Sequence, residues 1–257
     1  MRLRKFVIQF SIGVALICSV VVIGRSWTSF LPISDEEIER QIVSVSSVFT
    51  AQYAEIRQYF PEHAQAIRDE AERLERLRRR GIHIPQGSLW TASRDLMAPT
   101  YRAARHASED ALDTSLATLL EGYAIFRGHP QCGNFLLDGT SAITVAERTQ
   151  YYSILAADVP VHFEAVRGGV SAPEQRGVAT GDDWHRLFEL HLSEGHSQSD
   201  IADFTIAHRE GIEKSDIDMP KYCEAFFEIM DTLVGARFEG SAEIKAGFVI
   251  SGFGISE

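Results

Sequence analysis

The chain has 257 residues, a formal net charge of −11 and three cysteines, with 45% hydrophobic and 24% charged side chains. That acidic balance argues against nucleic acid or an anionic membrane surface as a partner, and the apolar share is enough for a well-cored globular domain. Lysine occurs four times against 21 arginines and Asn134 is the sole asparagine, a bias toward GC-rich codons that points to a bacterial source.

The first element is the apolar run 6–24, 19 residues without a charge. At about 1.5 Å per residue a helix of that length covers about 28 Å, close to the hydrocarbon thickness of a bilayer. The run is longer than the core of a signal peptide, and its exit, Ile23-Gly24-Arg25-Ser26-Trp27, offers no small-residue cleavage site. It reads as an uncleaved signal-anchor. Cys18 follows Ile17, where processing at a lipidated cysteine would want a small residue. Arg2, Arg4 and Lys5 precede the span and only Arg25 follows closely, which keeps the amino terminus in the cytoplasm. The expected organisation is a cytoplasmic tail (1–5), a single transmembrane helix in the inner membrane (6–24), a juxtamembrane linker (25–33) and a periplasmic helical domain (34–257).

Ser34-Asp35-Glu36-Glu37 has the form of a capping box. Behind it Ile38, Ile42, Val45, Phe49, Tyr53, Ile56 and Phe60 recur at steps of three and four, one face of a helix. Pro61 kinks or ends that helix. The stripe resumes with Ala64, Ile67, Ala71, Leu74 and Leu77 up to Gly81, a carboxyl-terminal cap. Two long, narrow-striped helices beside an anchor suit a hairpin packed on its own chain or on another protein. Ile42, Phe49 and Leu74 are therefore candidate partner-binding residues. So are Arg78, Arg79 and Arg80, read either as a docking patch or as a solvated helix end.

Residues 81–87 read as a loop and about 99–126 as a third long helix ended by Gly128-His129-Pro130. A short apolar run from Cys132 to Leu137 follows, then a helix over about 144–157 and another that Pro160 opens and that runs to Arg167. The glycine-rich stretch 168–181 reads as a surface loop. Asp182 or Asp183, Ser197 or Ser199, and Pro220 then start three further helices. The apolar tail, 246–255, is expected to dock as a strand-like or irregular segment. The sum is a mainly α, bundle-like domain of about seven or eight helices.

Cys132 and Cys223 are the two cysteines outside the anchor, and in an oxidising compartment they permit one intramolecular disulfide. The best concentration of chemistry-bearing side chains is His185, Glu189, His191, Glu194 and His196, imidazoles and carboxylates of the type that hold Zn²⁺. Their spacing is poor, because at 100° per residue His185 and His191 point to different helix faces. The metal is not the favoured reading, and no cofactor is expected. Gly139-Thr140-Ser141-Ala142-Ile143 lacks the second glycine of a nucleophile elbow, and no glycine loop with a Walker lysine occurs. Tyr101, Tyr123, Tyr151, Tyr152, Trp184, Phe188, Phe226 and Phe227 are of the kind that line a ligand pocket, but at helical spacing they read as core aromatics.

With no catalytic signature, the sequence reads as an anchored envelope protein acting through an unknown envelope partner: an accessory, inhibitor or immunity-type, or secretion-assembly factor. The alternatives are an anchored metal-assisted hydrolase and a small-molecule binding module.

Overall fold

A computed structural model describes residues 33–253 apart from Glu210. The anchor 6–24, the tail 1–5 and most of the linker lie outside the described residues. Among the described residues no helix is long and apolar enough to cross a membrane.

Ser34 accepts the Glu37 amide at 3.2 Å and starts α1 (Asp35–Val43). Only half of the expected box forms, because the Glu37 carboxylate takes Arg79 of a later helix at 2.5 Å instead. The long first helix is in fact two: the chain breaks at 44–46, and Ser46 caps α2 (Ser47–Tyr59). Pro61 ends one helix and begins the next. Phe60 leaves helical backbone, and Pro61, which lacks an amide hydrogen, takes the first position of α3 (Pro61–Arg79). Gly81, at φ +80°, closes that helix as expected.

The third long helix is corrected in both bounds. Pro99 lies inside α4 (Ser88–Arg102), which a 3₁₀ turn (Ala103–His106) follows, and Ser108 caps α5 (Glu109–Ala124) anew. The apolar run is a short helix, α6 (Cys132–Asp138), and a second 3₁₀ turn spans Gly139–Ala142. Residues 145–171 form one helix, α7 (Val145–Ser171), with Pro160 inside it rather than at a start. Loss of one backbone hydrogen bond there is offset by burial of Val159, Phe163 and Val166 around it.

Of the stretch 168–181 expected as a loop, only 172–180 is irregular. It is pinned to the first 3₁₀ turn: the Glu174 amide donates to the His106 carbonyl at 2.8 Å, and Arg176 donates to the Ala107 carbonyl. Thr180, not Asp182 or Asp183, caps α8 (Gly181–Ser193), with Asp183 completing the box. Ser197 caps α9 (Gln198–Ile206) with Asp200, and α10 (Met219–Leu233) starts at Asp218 with Pro220 in its first turn. The tail is helical, α11 (Ser241–Gly252). Ala246, Val249 and Ile250 are buried and Gly247 and Phe248 half-buried, so the run is apolar on every side and no stripe betrays the helix.

Among the described residues there are eleven α-helices, which share two apolar cores, and no strand. The first gathers α1–α4 with Phe163 and Val166 of α7 and Ala246, Val249 and Ile250 of α11. The second gathers α6 and α8–α10 around Phe126, Tyr151, Tyr222, Phe226 and Ile229. Helix α5 serves both, with Leu112 in one and Leu116 and Leu120 in the other. Helix α7 is the spine, packed by α2, α4, α5 and the first 3₁₀ turn. Cys132 and Cys223 are bonded across the second core, tying α6 to α10, with Cα atoms 5.7 Å apart.

Candidate functional site

Ile42, Phe49 and Leu74 are all buried in the first core. The stripe of α1–α3 thus packs on its own chain, and these three are not on the surface a partner meets. Arg79 bridges Glu37 and Glu75, whereas Arg78 and Arg80 are exposed, Arg78 donating to Glu75 at 2.7 Å. Of the eight aromatics, Tyr101, Tyr151, Phe226 and Phe227 are buried, and Tyr123, Trp184 and Phe188 pack against the second core.

Tyr152 packs against both cores and also reaches a cleft of about 840 Å³. The corner between α1 and α2, the end of α3, the loop into α4 and one side of α7 form its walls. Val48, Leu74 and Leu89 give it an apolar floor, and Gln41, Arg78, His83, Trp90, Arg148 and Tyr152 supply its functional groups. None of its lining residues is Asp or Glu. The first turn of α4 opens there with Gly87 as its cap; no side chain caps it, the Ser88 amide donates to the Pro85 carbonyl at 3.2 Å, and the helix dipole adds partial positive charge. Arg148 donates from Nη2 to the Thr140 carbonyl at 2.8 Å, while its buried Nε has no hydrogen-bond partner. The Gln41 Oε1 atom is likewise buried and unpartnered. The cleft therefore combines an unpartnered donor and an unpartnered acceptor with the charge of Arg148, while Arg78 is paired with Glu75.

The histidine-rich segment is divided. His185 sits on the outer face of α8, 74% exposed, paired with Glu189 at 3.2 Å, and Glu194 is exposed past the helix end. His191 is fully buried on the opposite face, as the helical spacing required. Gly195, at φ +94°, turns the chain back so that the His196 ring stacks on His191, centroids 4.3 Å apart and planes 7° apart. Asp200, from the first turn of α9, brings its Oδ2 to 3.5 Å from His191 Nε2. Burial, then the nearby His196, lowers the pKa of His191, and Asp200 pulls the other way. Arg127 lies beyond, within 3.5 Å of Glu224, Glu228 and Asp231.

A third cluster surrounds Lys245, whose fully buried Nζ donates to the Ala236 carbonyl at 2.6 Å and contacts Asp113 at 2.7 Å and Glu109 at 3.2 Å. Burial alone would raise Glu109 and Asp113. The hydrogen bonds of Lys245, with Ser241 on one and Arg237 on the other, hold both below the usual carboxylate range. This network locks α11 to α5; Asp113 Oδ2 has no hydrogen-bond partner and is met by the Arg237 charge alone.

Sequence reasoning missed Arg148, Gln41, His83 and Trp90, since no periodicity marks residues that converge from four separate elements. No protein-family model, curated protein or solved structure matches the chain.

Proposed function

We propose that the chain is an envelope binding protein, held to the inner membrane by residues 6–24, whose exported domain takes a small anionic molecule in the cleft between α1, α3, α4 and α7. One observation carries this reading: on a chain of net charge −11, a cleft of about 840 Å³ is lined by two arginines and a histidine and by no carboxylate. Its volume lies within the usual range for small-molecule sites. A ligand with a carboxylate or phosphate on a flat apolar body suits it. The anionic group meets Arg148 and the α4 amides, and the body meets Trp90 and Tyr152. The Cys132–Cys223 bond supports an oxidising compartment. An occupied cleft is then read by another envelope protein, which is where the interaction reading of the sequence rejoins this one.

The test uses the full-length protein in detergent, screened by thermal shift against paired anionic and neutral isosteres. Anionic members are expected to raise the melting temperature, and Arg148→Gln to weaken the best of them by about tenfold or more, the usual scale for a charge-assisted hydrogen bond. Equal shifts from neutral isosteres, or an unchanged affinity in the variant, would remove the proposal.

A further inference from the structure

We propose that His191, His196 and Asp200 form a site for a divalent cation of the zinc class, at the junction of the α8–α9 turn with α10. One ligand atom from each of the three lies within 4.8 Å of the others. Two imidazoles and a carboxylate are a donor set that zinc and its neighbours take up.

The Thr232 hydroxyl stands between His191 and the backbone of α10. Thr232 Oγ1 donates its single hydrogen to the Glu228 carbonyl at 3.1 Å. Where that bond is made, Thr232 Oγ1 is an acceptor toward His191 Nδ1, 2.8 Å away, and the neutral ring carries its hydrogen on Nδ1. That leaves Nε2 as a bare lone pair, fully buried and without a hydrogen-bond partner. It faces Asp200 Oδ2, a second acceptor, which the Ser197 amide holds in place at 3.0 Å. Two acceptors opposed in a buried position repel, and a cation between them turns the repulsion into coordination.

The surrounding groups have the form of a metal site's outer shell. Thr232 fixes the tautomer of His191, and Glu228 Oε2, 3.4 Å from His196 Nδ1, orients the second ring so that its Nε2 is available. His196 and Asp200 are partly exposed, which lets them close on an ion and leaves the remaining position to water. The site belongs to the second core and shares no residue with the anion cleft, so neither proposal depends on the other.

The test is equilibrium dialysis of chelator-stripped, full-length protein against Zn²⁺, with metal counted by mass spectrometry and folding checked by circular dichroism. One zinc per chain is expected, with a higher melting temperature. Because His191→Ala would empty a buried position, the partly exposed His196→Ala carries the main comparison, with an expected loss of at least tenfold in affinity. Thr232→Val, which touches no metal, should lose about 10- to 100-fold by freeing the His191 tautomer. His185→Ala should change nothing. A content far below one zinc per chain overturns the proposal. So does binding that His196→Ala and Asp200→Asn leave intact while His185→Ala removes it, the sign of an adventitious surface ion.

Discussion

His162 illustrates how a single side chain couples this fold to pH. It lies on α7 with Nδ1 2.7 Å from Ser115 Oγ, and its Nε2 is buried without a partner. Burial pushes the imidazole from 6.5 down to about 4, so the folded protein keeps it neutral while the unfolded chain protonates it at ordinary pH values. Its contribution is intact above pH 6.5 and is lost as pH falls from there toward 4, about 3 kcal/mol in all. Denaturant titrations at pH 7 and pH 5 should therefore show the wild type losing about 2 kcal/mol more than His162→Gln. Parallel losses in the two proteins would show that another group sets the acid sensitivity. Glu109 and Asp113, held low, act in a separate and more acid window. At this scale the sequence was legible where a residue acts on its own neighbours, as Ser34 and Gly81 do at helix ends. Thr232 and Arg148 were not legible, because their roles depend on what stands opposite them in space.

Elements were legible by their stripes and illegible where neighbours cover every side. The sequence of the tail suggests irregular chain where α11 is helical, and Pro160 looks like a helix start because proline's local preference carries no information on the packing around α7. The crossing of α7 over the first 3₁₀ turn is the tightest example of that packing. A Cβ on Gly169 would stand 1.7 Å from the Ala103 carbonyl oxygen, whereas one on Gly168 would meet only the Ala107 side chain, at an ordinary 3.8 Å. Gly169→Ala is expected to destabilise the domain by about 3 kcal/mol or more, since backbone must move. Gly168→Ala should be neutral or slightly stabilising, as alanine is the better helix former. Melting curves of the two single variants decide, and similar behaviour would mean that the crossing is looser than drawn.

At the scale of the whole molecule, composition and the cysteine count indicated an α-helical domain with one bond between Cys132 and Cys223, and both features are present. The division into two cores was beyond reach, because it arises from α5, α7 and α11 each turning one part of its length to a different neighbour. The disulfide closes a separation of 91 residues, and its removal should cost up to about 4 to 5 kcal/mol in the chain-entropy picture. Urea midpoints of the oxidised protein against Cys132→Ser/Cys223→Ser measure this directly. Coincident midpoints would mean that native packing already supplies what the bond constrains.

Helix α11 comes last among the described helices, yet it fills part of both cores and carries the buried Lys245 that neutralises α5. Neither core is complete until those residues join it. During synthesis the earlier helices can form and associate loosely, but the cooperative fold has to wait for the end of α11. On the proposed export route this delay is useful. A translocation channel passes extended chain, and a domain whose closing piece is made last stays threadable until nearly all of it has crossed.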